Sequence, residues 1–277
     1  MGLAVRRIVG LVLVAAMASF AGMAGDPTRA GSPAKAQGQA SLQTGAVTVR
    51  SAKSRALTTR AGIRRARRFA RSRQGVVAFA VLDSEHRPRG LRRTTPFPSA
   101  SVSKAMLLVA ALRRADGRRL SDTTRRLLRA MVTVSDNDAA SAVYAQVGGA
   151  GLRRVAGAAD MRKFTDVGHW AGARVTAADQ ARLFLRIDKL VPAAHRRYAR
   201  KLLSSIVTPQ RWGIAPAARR AHAKVFFKGG WRNGITHQVA LLERGDRRIA
   251  LAVLTSGSPS MAYAEETIER IASRVLG

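Results

Sequence analysis

Strand-forming runs lie at both ends of this chain, and a long helical stretch separates them. Val76–Leu82 (VVAFAVL) is apolar throughout. Three further runs come much later: Ala223–Lys228, Thr236–Arg244 and Arg247–Thr255, the last two joined by the turn Arg244-Gly245-Asp246. Between these ends, apolar residues recur at helical spacing over Lys104–Arg114, Asp122–Val134, Ala139–Val147, Ala177–Leu190 and Ala193–Val207. Strands drawn from both ends and interrupted by helices predict an α+β architecture: an antiparallel sheet flanked by terminal helices, with an inserted all-helical lobe. The terminal helices are residues 59–73, with Ile63, Ala66, Phe69 and Ala70 at helical spacing among arginines, and about Ser260 to Val275. The α/β lobe is assigned to residues 58–98 and 221–277 and the helical lobe to 99–220. A cleft between two such lobes is the natural place for a site.

The segment before this domain reads differently. Residues 1–24 have the pattern of a secretory signal peptide: Arg6-Arg7, the apolar run Ile8 to Ala21, then Gly22-Met23-Ala24. The apolar run is short for a membrane span, which needs about 20 residues. Residues 25–57 are rich in Gly, Pro, Ala, Ser, Thr and Gln and read as a flexible linker. The expectation is an exported protein, secreted or held at the cell envelope. The absence of cysteine excludes disulfides, thiolate catalysis and cysteine zinc sites, and no motif asks for a metal or another cofactor.

Lys and Arg total 49 against 16 Asp and Glu, a net charge of +33, and only eight of the 49 are lysine. A chain this basic is drawn to anionic polymers, here those of a cell envelope. Nucleic acid is a poor fit. Aromatic residues, which would stack on bases, are only 5% of the chain, and the arginines are spread along it.

Where arginine is the habitual cation, a lysine at a defined position carries information. Ser101-Val102-Ser103-Lys104 opens a helix and puts an amine one turn from a hydroxyl. A lysine amine can become neutral and accept a proton, whereas arginine cannot. The pattern alone is unspecific, since Ser32-Pro33-Ala34-Lys35 matches it too, and a serine at a helix start is often only a cap. Ser135-Asp136-Asn137 sits at a junction between helices, where it can relay a proton and bind an amide, or merely cap. Lys228-Gly229-Gly230 ends the apolar strand Val225-Phe226-Phe227, and its glycines let the backbone approach a ligand.

In this order and on these elements, the motifs resemble the class A β-lactamase and penicillin-binding-protein superfamily of serine hydrolases, over roughly residues 60–277. Phe97-Pro98-Ser99-Ala100-Ser101-Val102-Ser103-Lys104 is similar to its Phe-x-x-Ala-Ser-x-x-Lys, and Met131 to Ala140 to the end of its second-motif helix. Val147-Gly148-Gly149 and Thr255-Ser256-Gly257 resemble further family positions. The resemblance implies that Ser101 is acylated by a β-lactam or by the D-alanyl end of a peptidoglycan stem peptide. Lys104 would accept or relay the proton and Ser135 would pass it to the departing nitrogen. Asn137 would hold the acyl-side amide, and Lys228 would attract the substrate carboxylate. The N–H groups of Ser101 and Trp231, beside Gly230, would form the oxyanion hole. A monomer is expected.

The sequence departs from the family at three places. No glutamate lies between Glu85 and Glu243, so the loop before Thr176-Ala177-Ala178 lacks the class A glutamate, and Asp160 and Asp166 are the candidates to replace it. Counting forward from Gly148-Gly149 lands near Gly168 and His169, so that loop is shortened. Gly229 stands where the family has Thr or Ser, and His237 where class A enzymes often hold a carboxylate-binding arginine, for which Arg232 could compensate. The competing reading is a non-catalytic cell-wall-binding protein, against which the intact Ser101–Lys104 pair speaks.

The charge predicts retention on heparin that weakens steeply as salt rises and is the same for Ser101→Ala. Retention indifferent to salt would separate binding from charge.

Overall fold

The computed structural model describes residues 57–85 and 87–277, all within the compact unit Ser51–Gly277. The expected signal segment 1–24, the linker as far as residue 56, and His86 lie outside the described residues. Strand β1 (Val76–Leu82) turns into the short β2 (Arg89–Leu91), with Phe79 opposite Leu91. It also pairs with β7 (Arg247–Ser256), Val77 opposite Thr255. β6 (Ile235–Arg244) and β5 (Lys224–Arg232) complete an antiparallel sheet in the order β2-β1-β7-β6-β5. The two ends of the chain thus meet in one sheet, as the strand pattern predicts, and β5, which carries the Lys-Gly-Gly motif, is an edge strand.

Six successive residues of β1 are buried, so both faces of the sheet are covered. The terminal helices α1 (Arg60–Arg71) and α8 (Met261–Leu276) pack together as one cover, and α5 (Ala177–Leu190) lies across β1 and β7. In α1 the apolar stripe Ile63, Ala66 and Ala70 is buried, while Thr59 caps the helix by accepting from the Gly62 N–H at 2.9 Å. Gly62 is required by the crossing: a Cβ there would lie 2.5 Å from the Arg274 carbonyl oxygen. Arg73 joins the same seam, donating to Thr267 Oγ1 at 2.8 Å with its guanidinium 3.6 Å from the centre of the Tyr263 ring.

The helical lobe centres on α2 (Lys104–Ala115), buried continuously from Lys104 to Leu112. A 3₁₀ turn, Ala100–Ser103, leads into it from β3 (Phe97–Pro98), which pairs with β4 (Arg174–Val175). α3 (Asp122–Arg129) runs into a π-helical turn, Ala130–Val134, and α4 (Asn137–Ala158) follows. The sequence ends a helix at Val147, but the chain only breaks at Gly148 (φ 61°, ψ 178°) and resumes helically to Ala158. The expected helix Ala193–Val207 is a 3₁₀ turn at Ala193–His195 followed by α6 (Arg196–Ser204). α7 (Ile214–Arg220) has no counterpart in the sequence reading, because Pro216 hides it; proline is tolerated in a first helical turn.

His237 fastens these parts together. The sequence places it among substrate-binding positions, but it is fully buried on β6 with both ring nitrogens engaged. The Thr255 N–H donates to Nδ1 at 3.2 Å, which leaves Nε2–H to donate to the Pro98 carbonyl at 3.0 Å. Phe97 meets the ring edge-on, centroids 5.6 Å apart. The imidazole thus ties β3, the approach to Ser101, to the sheet. Burial lowers its pKa from 6.5 to about 4, opposed by its hydrogen bond to Pro98. The unfolded chain therefore binds a proton first as pH falls. His237 contributes stability that is present above about pH 6.5 and is lost towards pH 4. Between pH 7 and pH 5 the loss is about 2 kcal/mol. Denaturant titrations at the two pH values should show that difference in the native chain and a clearly smaller one in His237→Gln.

Candidate active site

Backbone geometry in the left-handed region marks the two places where the serines emerge. Ala100 (φ 46°) precedes Ser101, and Ser135 itself has φ 62°. Neither residue is a glycine, so both conformations must be held by their surroundings. For Ala100 the restraint is the loop after α4: Ala100 N–H bonds the Ala171 carbonyl at 3.0 Å and Ser99 N–H the Ala173 carbonyl at 2.8 Å. Ser99 Oγ donates to the Trp170 carbonyl at 2.9 Å. For Ser135 the restraint is the π turn, whose Ala130 carbonyl takes the Ser135 N–H, while Asp136 caps α4 through the Ala139 N–H at 2.7 Å.

Two buried lysines converge on Ser135. Lys104 Nζ lies 2.5 Å from the Ser135 carbonyl oxygen, 2.8 Å from Asn137 Oδ1 and 3.2 Å from Ser135 Oγ. Lys228 Nζ donates to Ser135 Oγ at 3.0 Å and to the Gly229 carbonyl at 2.8 Å. Both lysines are fully buried, and among the described residues no carboxylate bonds either of them. Burial lowers the Lys104 pKa from 10.5 to about 8, partly opposed by the Asp136 charge. Burial, with the repulsion of Lys104, holds Lys228 well below the usual lysine range. Ser101, at the start of the turn, stays partly exposed. The arrangement offers an accessible hydroxyl, an amine near its neutral form one turn away, and a second hydroxyl held by two amines.

β5 supplies the opposite wall. A Cβ on Gly230 would lie 2.6 Å from the Ser101 nitrogen and 2.7 Å from the Val102 nitrogen, so only glycine lets the strand come this close to the turn. Trp231 follows it, partly exposed, and Arg232 is exposed beyond. Gly229 faces two indoles: its Cβ would meet Trp212 at 3.3 Å and Trp231 at 3.8 Å. Trp212 was not singled out by the sequence, since it lies far from every motif.

The loop between α4 and α5 does not bring an acid to the lysines. Asp160 is paired with Arg162, Arg182 and Arg186 at 3.6–3.7 Å. Asp166 binds Arg153 at 2.5 Å and accepts from the Gly168 N–H. Neither is hydrogen-bonded to Lys104, Ser135 or Lys228 among the described residues, so the structure does not gather these two candidates with the rest. What the loop does bring is Trp170, whose ring centre lies 4.7 Å from Lys104 Nζ. The forward count from Gly148-Gly149 ends at its neighbour His169, which is the one sequence signal that pointed to it. Among the described residues no group of three or more His, Asp or Glu could hold a metal ion.

Comparisons with known proteins bear on the whole arrangement. The model of the beta-lactamase enzyme family matches residues 121–277. No curated protein matches the sequence. Solved structures with a similar fold include a beta-lactamase from Sphaerobacter thermophilus, 18% identical with TM-score 0.67, covering 77% of this chain and 94% of that one. PBP-A is another, 15% identical with TM-score 0.67, covering 77% and 93%. A PBP-A mutant in an acyl-enzyme complex with penicillin G is 16% identical with TM-score 0.66, covering 77% and 94%. The family match takes in more than half of the chain, including the Ser-Asp-Asn junction, β5 and the rest of the late sheet, and on that ground this chain belongs to the beta-lactamase enzyme family.

Proposed function

We propose that this chain is an exported, penicillin-recognising serine hydrolase that forms an acyl-enzyme on Ser101 with β-lactams or D-alanyl peptides and clears it slowly. The observation that carries this is the convergence of Lys104 and Lys228 on Ser135 Oγ, with Lys104 one helical turn after the partly exposed Ser101 and no carboxylate bonded to either amine among the described residues. The solved complex of a PBP-A mutant with penicillin G supports the β-lactam as substrate class. The signal pattern of residues 1–24 supports export, and the net charge of +33 supports contact with anionic envelope polymers.

In this reading the neutral Lys104 amine takes the Ser101 hydroxyl proton as Oγ attacks the carbonyl carbon. The N–H groups of Ser101 and Trp231 receive the developing oxyanion. The C–N bond then breaks, and Ser135, resupplied from the lysines, delivers a proton to the departing nitrogen. Asn137 both accepts from Lys104 and orients the acyl-side amide. Hydrolysis of the ester needs a base for water. With the glutamate missing, the Trp170 ring against Lys104, and Asp160 and Asp166 tied to arginines, no carboxylate among the described residues is placed to be that base. A general base contributes about 10²–10⁴-fold to such a step.

A reporter penicillin should therefore add one covalent adduct per chain by intact mass, absent in Ser101→Ala. The adduct should persist while a chromogenic cephalosporin is hydrolysed slowly. Rapid turnover with no accumulated adduct would falsify the slow-clearance reading.

The acylation rate should rise with pH up to a plateau above about pH 8, because only neutral Lys104 accepts the proton. Lys104→Arg should lose more than tenfold, on the order of 1.4 kcal/mol of barrier. A rate flat from pH 6 to 9 would remove Lys104 from the role of base.

A further inference from the structure

We propose that the leaving-group side of this site favours a neutral group with an apolar or aromatic face over a carboxylate, though it still admits one, and that Trp212 and Trp231 determine this preference. The proposal rests on the acyl-enzyme reading above and names the substrate class of the same site.

Alternation along β5 puts Gly229 and Trp231 on one side of the strand and Lys228, Gly230 and Arg232 on the other. Gly229 lies two residues before Trp231, whose N–H is the proposed oxyanion donor. At Gly229 there is no hydroxyl, and the space where a side chain would start is flanked by indole atoms of Trp212 at 3.3 and 3.4 Å and of Trp231 at 3.8 Å. The two rings meet edge to face, centroids 6.1 Å apart at 72°, and both remain partly exposed.

Trp212 is held rather than merely present. Buried Gln238, opposite Gly229 in the ladder, donates from Nε2 to the Trp212 carbonyl at 2.8 Å and accepts the Ile214 N–H on Oε1 at 2.5 Å. Gly213 between them has φ 67°, and a Cβ there would sit 2.7 Å from Gln238 Oε1, so the loop is fitted to its clamp.

Three of the cations that could greet a carboxylate are engaged elsewhere, and the fourth, the exposed Arg232, lies on the other side of β5 from Gly229. Lys228 is fully buried and spends its amine on Ser135 Oγ and the Gly229 carbonyl. His237 is locked between Pro98 and Thr255. Arg211, next to Trp212, bonds the Ser204 and Ile206 carbonyls at 3.1 and 3.5 Å. The indole carbons at Gly229 offer an anion no hydrogen-bond donor and reward an apolar or aromatic group. A carboxylate placed there gives up water without a compensating donor. The overall positive charge attracts every anion from a distance, but that field is screened by salt and does not select a contact.

The test uses the full chain in about 0.5 M salt, where the Debye length is only a few ångströms. The probes are phenylacetyl-glycyl thioesters whose leaving thiol is mercaptoacetic acid or its benzyl ester. In each, Ser101 Oγ–H adds to the carbonyl carbon, the C–S bond breaks, and the thiol leaves with the proton. kcat/KM for thiol release is divided by the rate of each thioester's hydroxide-catalysed hydrolysis. The benzyl ester should be favoured roughly tenfold, as a well-placed aromatic pair provides. Trp212→Ala should bring the ratio near one, Trp212→Phe should largely keep it, and Gly229→Ser should move it towards the acid. A merely structural role would lower both rates and leave the ratio alone. The proposal is overturned by a native preference for the acid, or by a ratio that Trp212→Ala does not move. If Ser101 is labelled by a reporter penicillin and only the ratio is wrong, the specificity alone fails. If neither thioester nor penicillin acylates Ser101, the acyl-enzyme reading fails and the specificity with it.

Discussion

Two lysine amines share one serine hydroxyl inside this protein, and neither is bonded to a carboxylate among the described residues. Two full positive charges so close together and cut off from water are costly, and the simplest relief is loss of a proton. A neutral amine has two N–H donors and one lone pair. At Lys104 the Ser135 carbonyl and Asn137 Oδ1 can take both donors, which leaves the lone pair free to accept a proton. The same packing that makes the charge expensive thus prepares the base. Adding a carboxylate partner would restore the ammonium and undo this.

That arrangement depends on contacts distant in sequence. Ser101 leaves β3 through a left-handed Ala100, Ser135 is itself left-handed, and Gly230 presses the edge strand against the Ser101 amide. Each would relax if its neighbour moved. The neighbours come from the 170–173 loop, the π turn and β5, and β5 is positioned only when the late strands have paired with β1. His237 closes the circuit by joining Pro98 to β7 through one neutral ring. The site exists where the early and late parts of the chain meet, so its geometry is a property of the finished sheet and not of any one motif.

This explains what could be read in the sequence. The strands, the buried α2 and the Ser-Asp-Asn junction each announce themselves over a few residues, because apolar periodicity and capping residues are local signals. The antiparallel sheet with terminal helices and a helical insertion followed from their order. Trp212 did not, since only the Gln238 clamp carries it to Gly229. The burial of His237 between Pro98 and Thr255 was not legible either, because position along a strand does not show what packs against the ring. The second half of α4 was hidden behind Gly148-Gly149, which reads as a stop although only Gly148 leaves helical geometry. The sequence did reveal that an acid was missing from the loop, but not that a tryptophan stands against the lysine instead.

The scarcity of acids also bears on why. With 49 basic and 16 acidic residues, the carboxylates of the fold are heavily committed. Thr176 caps α5 by accepting the Asp179 N–H, and the Asp179 carboxylate accepts from Thr176 Oγ1, from the Arg162 and Lys163 amides and from Arg182. Asp188 and Glu243 both bridge Arg200 and Arg248. Asp160 is ringed by three arginines. A carboxylate that must activate water has to keep an oxygen free, and in a loop with Arg153, Arg162 and Arg174 nearby in sequence a guanidinium fork would compete for it. An indole has no such competitor. It shields Lys104 from water, adds no charge that would re-protonate the amine by pairing, and offers its face to whatever positive charge Lys104 carries during proton transfer. Trp170 therefore suits the first half of a two-step acyl transfer and contributes no base to the second, the same asymmetry that two lysines bonded only to neutral groups impose.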